Sequence, residues 1–314
     1  MDPAEVVIAL AEQLRSAVLP HIGSPGARAS AGRAHSGDVT FAIDEVAERA
    51  LEEFVAATSG RLAYFSEDRG LVGPRQPEGI LLVDPIDGTR GAMCGLESCV
   101  ASVAWVDPVP DARLRDVRFA CVRELRGDLV FTARRGMGAE VRTAFGDARP
   151  IALSTVAEPH LMRWNLDIVG RPARLIAGAA EELMDASSKT GAVFMLNSIA
   201  FSVTRLLTGQ LDAAVDPGTR LLREVPGARE QFLRLGGGTP MALFPYDIAA
   251  VLLIATEAGA VVTDAWGRDL SDVPAFDCSE ANGQSMVAAA NHQLHARILE
   301  ALGRGIAKLR GDTE

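Results

Sequence analysis

The residues best suited to chemistry lie in one short segment, Val83-Asp84-Pro85-Ile86-Asp87-Gly88-Thr89. Pro85 biases Asp84 towards extended backbone. Two carboxylates stand three positions apart, and Gly88 permits a turn sharp enough to expose backbone N–H groups. Hard divalent cations such as Mg²⁺ take oxygen ligands and commonly leave positions for water and substrate phosphate, which an acidic turn of this kind can serve. Asp-Pro and Asp-Gly are also ordinary turn dipeptides. In isolation, then, the segment admits a plain turn as well as a cation site. The same holds for the other acids at hand. Asp44 could be a solvated acid in a first helical turn, Glu67 a turn residue, and Asp247 the cap of its helix.

The surrounding pattern says what must position these groups. Residues 5–18 and 43–54 repeat apolar side chains at helical spacing, separated by a Gly/Ser/Pro/Ala-rich stretch at 23–37. Residues 62–65 predict a short strand that stops at Ser66-Glu67-Asp68. Ile80-Leu81-Leu82-Val83, bounded by Gly79 and Pro85, predicts a strand buried on both faces that delivers Asp84 at its end. Further strands are expected at 99–106, 116–123 and 129–133. Beyond Arg149-Pro150 the chain alternates strand and helix patterns up to a closing helix near 295–309. Two units follow: an N-terminal α+β domain, 1–150, carrying the Asp-Pro-Ile-Asp-Gly-Thr turn, and a C-terminal α/β domain, 151–314, carrying Asp247.

Taken in order, Asp38 to Asp44, Ser66-Glu67-Asp68, Asp84 to Thr89 and Tyr246-Asp247-Ile248-Ala249-Ala250 with Glu257-Ala258-Gly259 resemble the inositol monophosphatase-like family of Mg²⁺-dependent, lithium-sensitive phosphatases. Weaker similarity at Gly136-Met137-Gly138-Ala139, Arg149-Pro150-Ile151 and Leu211-Asp212-Ala213 extends it over most of the chain. The resemblance implies a mixed α/β fold, a layered αβαβα sandwich of the sugar-phosphatase type. It implies two or three Mg²⁺ per site: Glu67, Asp84 and the Ile86 carbonyl would hold one, and Asp84, Asp87 and Asp247 a second. Thr89, hydrogen-bonded to Asp44, would help Glu67 orient and deprotonate the attacking water. Asp87, Gly88, Thr89, Asn197 and Asp216 would contact substrate, and the active species would be a homodimer. The chain departs from the family at Arg90-Gly91-Ala92, where Asn and Phe are common, and at Asn197 and Ile199, where small residues are usual. These departures weaken inositol phosphate as the expected substrate and leave a sugar, polyol, histidinol or nucleotide phosphate.

Composition narrows the partners. The 314 residues carry 31 Lys and Arg against 41 Asp and Glu, a net charge of -10 that disfavours nucleic acid and anionic membranes. No apolar run approaches the roughly 18 residues of a membrane helix, and Met1-Asp2-Pro3-Ala4-Glu5 lacks a cationic signal-peptide head. A cytoplasmic protein acting on a small phosphorylated metabolite is expected, with its four cysteines reduced. His292 and His295 read as surface residues. Residues 217–245 look like an insertion, whose Arg220, Arg223, Arg229 and Arg234 are expected to cap the pocket and offer a cation to a second anionic group on the substrate. The competing class is a catalytically silent binding or regulatory protein that keeps the phosphatase fold.

Overall fold

A computed structural model describes residues 1–33 and 39–311; Asp38 and part of the Gly-rich stretch lie outside the described residues. Five layers stack in the order helices, sheet, helices, sheet, helices. The first sheet has eight strands, in spatial order Ala148–Arg149, Ala139–Thr143, Leu129–Arg134, Val117–Glu124, Val100–Val106, Gly79–Asp87, Leu62–Ser66 and Gly70–Val72. Its neighbours are antiparallel except Leu62–Ser66 and Gly79–Asp87, which run parallel and therefore bring Glu67 and Asp84 to the same end of the sheet. The second sheet has five strands, Ala192–Phe194, Arg163–Leu166, Ala213–Asp216, Met286–Ala289 and Val261–Thr263.

Side-chain alternation along each strand explains the layering, because successive residues point to opposite faces. Leu81 and Val83 pack under the outer helices Pro3–Val18 and Ala42–Ala56, with Leu10, Leu14 and Leu51. Leu82, between them, packs on the middle layer formed by helices Ile199–Leu207 and Pro245–Glu257. In the second sheet Ala214 faces that middle layer, whereas Ala213 and Val215 face the outer helices Ala173–Ser187 and His292–Gly311. Both faces of both sheets are thus covered, which is why the strand around Ile80 to Val83 reads as an uninterrupted apolar run. Helix Pro245–Glu257 lies between two sheets and is accordingly apolar on nearly all sides.

Several expectations need correction. The strand holding Asp84 does not stop there but runs to Asp87 through a bulge, three residue steps opposing two on the partner strand Val100–Val106. Strands Arg163–Leu166 and Ala192–Phe194 carry no clear apolar alternation, and residues 174–177, whose apolar pattern predicts a strand, belong to a helix. His295 is buried, with its ring nitrogen 2.9 Å from the Thr263 hydroxyl, and burial lowers its pKa. The segment after Asp216 folds into helices Gly218–Glu224 and Ala228–Leu235, which bury Leu221, Val225 and Phe232 in the outer core. Glu257, at the C-terminal end of the middle helix, accepts the N–H groups of Gly136 and Gly138 at 2.7 and 2.8 Å. That amide pair offsets a carboxylate at the unfavourable end of a helix dipole and ties the Gly-Met-Gly turn to the middle layer. No helix among the described residues is long and apolar enough to cross a membrane.

Candidate active site

Four structural elements converge on one cavity. The bulged strand end supplies Asp84, Ile86 and Asp87, and the chain after strand Leu62–Ser66 supplies Glu67. Gly88 and Thr89 begin the short helix Thr89–Cys94, and Asp247 comes from the first turn of the middle helix; all line the same cavity. Gly88 sits at φ 94°, and a Cβ there would lie 2.3 Å from the Ser98 carbonyl oxygen, so the turn requires glycine on two counts.

Each buried aspartate is anchored by protein donors. Asp84 Oδ1 accepts the Ile86 N–H at 3.0 Å. Asp87 Oδ2 accepts the Ser198 hydroxyl at 2.8 Å and the Ala200 N–H at 2.5 Å, where Ser198 caps helix Ile199–Leu207. Asp247 Oδ2 accepts the Phe244 N–H at 2.6 Å. The second oxygens of Asp84 and Asp247 take no protein donor among the described residues, while Asp87 is held further by the Ile199 N–H. Asp247 is therefore both the helix cap that its position suggests and a cavity carboxylate with an oxygen to spare.

The electrostatics are strained without a counter-charge. Burial, compounded by Asp87, Asp247 and Glu67, pushes Asp84 well above the ordinary carboxylate range. Burial likewise raises Asp87 to about 7 despite the donors from Ala200 and Ser198, and raises Asp247, with Asp87 and Asp167 adding to the effect. Among the described residues no three acidic, histidine or cysteine side chains close on one point as a ready-made cage. The donor chemistry nevertheless fits a hard divalent cation: open carboxylate oxygens, the Ile86 carbonyl nearby, and like charges that a cation would neutralise.

The Thr89 hydroxyl lies 3.1 Å from Asp44 Oδ1 and 3.1 Å from the Ile86 carbonyl oxygen. Asp44 is held in turn by its other oxygen, which accepts the Phe41 N–H at 2.8 Å at the start of helix Ala42–Ala56. Thr89 and Asp44 thus form a hydrogen-bonded pair at the edge of the carboxylate cluster. Behind it, in an adjoining small cavity with Asp44, Glu67 and Asp84, lies Glu48. It is 1 % exposed, and neither carboxylate oxygen has a hydrogen-bond partner among the described residues.

Other expected residues are placed differently. Asn197 lines the cavity at φ 56°, a left-handed conformation that asparagine tolerates. Asp216 does not line it: fully buried, it accepts both Nε and Nη2 of Arg171, and Arg171 stands in the cavity wall in its place. The arginine lid is absent. Arg220 bonds Glu224 and the Ala265 carbonyl, Arg223 the Ala281 and Gly283 carbonyls, and Arg229 Glu280, while exposed Arg234 is not in the cavity wall. The inserted segment reaches the cavity instead through its tail, Thr239 to Phe244. Asp167 and Arg171 carry no motif that sequence reading could recognise. Ser198, a serine directly before an apolar helical run, is a visible helix-start signal.

Residues 4–306 match the inositol monophosphatase family. The chain belongs to that family. It is 27 % identical over 305 residues to a fructose-1,6-bisphosphatase/inositol-1-monophosphatase of Methanothermobacter thermautotrophicus, covering 95 % of each chain. It is 26 % identical to the Nus factor SuhB of Vibrio cholerae over 74 % of this chain and 75 % of the relative. The solved Thermotoga maritima IMPase superposes with a TM-score of 0.68 at 19 % identity, covering 98 % of this chain and all of that one, which shows the shared fold. As a family member the chain is a phosphoric monoester hydrolase, and the layered fold is that of the family.

Proposed function

We propose that this family member is a cytoplasmic, homodimeric, Mg²⁺-dependent phosphomonoesterase that transfers the phosphoryl group of a small phosphorylated metabolite to water. The observation that carries the reading is that Asp84, Asp87 and Asp247, each anchored by protein donors, line one cavity together with Glu67 and Ile86. Glu67, Asp84 and the Ile86 carbonyl would hold one cation, and Asp84, Asp87 and Asp247 a second. Bound there, divalent cations would acidify water and neutralise charge on the phosphoryl and leaving oxygens.

The chain's own residues do the rest. Thr89 directs its one hydroxyl hydrogen to Asp44 or to the Ile86 carbonyl and keeps lone pairs to accept a hydrogen bond from water. Asp44, fixed by the Phe41 N–H, aligns that hydroxyl, and Glu67 shares the cavity as the second acceptor. Backbone N–H groups at Gly88 and Thr89, freed by the left-handed turn, face the position of a phosphate. The attacking water, oriented by Thr89, would lose its proton to Glu67 as its oxygen bonds to phosphorus and the ester P–O bond breaks; the alcohol leaves with a proton from solvent, and no covalent phosphoenzyme lies on the path.

The Vibrio relative's description as a Nus factor keeps a second reading in view, a regulatory protein that retained the fold. A phosphate-release screen over a panel of phosphorylated metabolites, with Mg²⁺ and with chelator, separates the two. Release that requires Mg²⁺ supports the enzyme. No release from any member supports the silent protein.

A further inference from the structure

In the same cavity as the carboxylate cluster, and near enough for Asp167 to act electrostatically on Asp87 and Asp247, the wall contains a second group of charges that is not assigned to the metals or the water. It is built from the loop after strand Arg163–Leu166, from Asp216 at the end of strand Ala213–Asp216, and from the tail of the inserted segment. Asp167 is 5 % exposed and Arg171 is 7 % exposed, yet both line the cavity. Arg171 uses three of its five N–H donors inside the protein. Its Nε donates to Asp216 Oδ1 at 3.0 Å, its Nη2 to Asp216 Oδ2, and its Nη1 to the Val169 carbonyl. It also lies 3.8 Å from Asp167 Oδ1. A guanidinium closed on a carboxylate in this way has its Nε–Nη2 fork occupied and its charge offset by its partner.

Asp167 differs. Its Oδ1 receives only a long bond, 3.3 Å, from the Val169 N–H, and its Oδ2 accepts no protein donor among the described residues. Two carboxylates against one guanidinium leave this wall with a net negative charge. An acceptor at the cavity wall that lacks a protein donor can take one from a bound molecule. The arrangement is also rigidly framed. A Cβ on Gly218 would lie 2.6 Å from Arg171 Nε, and one on Gly170, at φ 65°, would lie 2.3 Å from Met241 Cγ. Glycines at both positions let the Asp216–Arg171 pair close and let the tail of the inserted segment press the 167–171 loop against the cavity.

We propose that Asp167 reads the alcohol half of the substrate, accepting a hydrogen bond from a hydroxyl or ammonium group of a singly phosphorylated molecule and repelling a second phosphate or carboxylate. This rests on the phosphomonoesterase reading above and adds the substrate class to it. Arg171 is a positioning residue here: it neutralises Asp216 and holds the loop that presents Asp167.

The test compares kcat/KM of the full chain in Mg²⁺ on four probes: phenyl phosphate, with no donor group; glycerol 1-phosphate, with hydroxyls; phosphoethanolamine, with an ammonium; and fructose 1,6-bisphosphate, with a second phosphate. Wild type should prefer one of the two donor-bearing monophosphates over both phenyl phosphate and the bisphosphate. Asp167→Ala should lower that preference over phenyl phosphate at least about tenfold, the scale of one lost charged hydrogen bond. The bisphosphate should gain at least about tenfold relative to the preferred probe. The isosteric Asp167→Asn, available should the alanine variant misfold, keeps an acceptor oxygen. It should restore a hydroxyl preference in large part and an ammonium preference hardly at all, which identifies the donor group. A parallel fall on all four probes, or a wild-type preference for the bisphosphate, overturns the proposal while leaving the phosphomonoesterase reading intact. Absence of turnover on every probe overturns both.

Discussion

At the scale of single residues, the site works by giving each acid two tasks. Asp44 and Asp247 both occupy first-turn positions and accept the backbone N–H three residues upstream, at 2.8 and 2.6 Å, so their second oxygens are aimed by the helices they cap. Helix cap and cavity residue, alternatives in the sequence, are thus compatible in one side chain. The Thr89–Asp44 bond implies that Thr89→Ala lowers kcat by about 10²-fold or more while KM moves only a few-fold, as expected for a contact made chiefly in the transition state. Steady-state kinetics on any turned-over monophosphate check it, and a pure KM effect would reassign Thr89 to phosphate binding. Glu48 gives a second prediction. Burial, with Asp68 close by, raises it from 4.5 to about 7. The folded state therefore holds this proton more tightly than the unfolded chain does. Its contribution to stability is full below about pH 4.5 and is lost as pH rises through 7. Between pH 5 and pH 8, urea unfolding in chelator should show the wild type losing about 1–3 kcal/mol relative to Glu48→Gln. Parallel pH profiles for the two proteins would contradict the assignment.

Elements show which parts of the molecule could be read in advance. The apolar run at Ile80 to Val83 and the helical spacing at 5–18 and 43–54 were legible because burial on one or two faces imposes a period on the sequence. Strand Arg163–Leu166 was not, because its Asn165 is buried for a hydrogen bond to the Leu196 N–H, a tertiary use that no local pattern announces. The four carboxylates were legible through their motif; Asp167 and Arg171 were not, because only the meeting of a loop, a strand end and the inserted tail makes them a wall. Helices Gly218–Glu224 and Ala228–Leu235 defeat sequence reading for a related reason. Arginines at helical spacing say nothing of where they point, and Arg223, over the Trp266 ring and bonded to two carbonyls, faces the outer layer. Replacing Arg220, Arg223, Arg229 or Arg234 singly by Ala should leave KM for the preferred substrate within about threefold, or less than about 1 kcal/mol. Any loss should appear in thermal stability. A tenfold rise in KM at one position would restore the arginine lid.

Across the whole molecule, the five layers serve to bring together groups from distant parts of the chain. Asp84 and Asp87 come from a strand of the first sheet, Asp247 from the helix between the sheets, and Asp167 and Asp216 from the second sheet. The middle core draws residues from both sheets, so the two halves of the site are held by one packed interior. A cluster of buried like charges is tolerable in such a setting only when protonated or neutralised by cations. We propose that Glu67, Asp84, Asp87 and Asp247 jointly hold divalent cations, with Asp84 common to both sites. Calorimetric titration of Mg²⁺ into the chelator-treated wild type and into Asp84→Asn tests it without recourse to turnover. The prediction is saturable binding of at least two Mg²⁺ per chain in the wild type, released protons growing fewer as pH rises, and loss of both binding events in Asp84→Asn. Unaltered Mg²⁺ binding by Asp84→Asn, or no saturable binding by the wild type, would contradict the account.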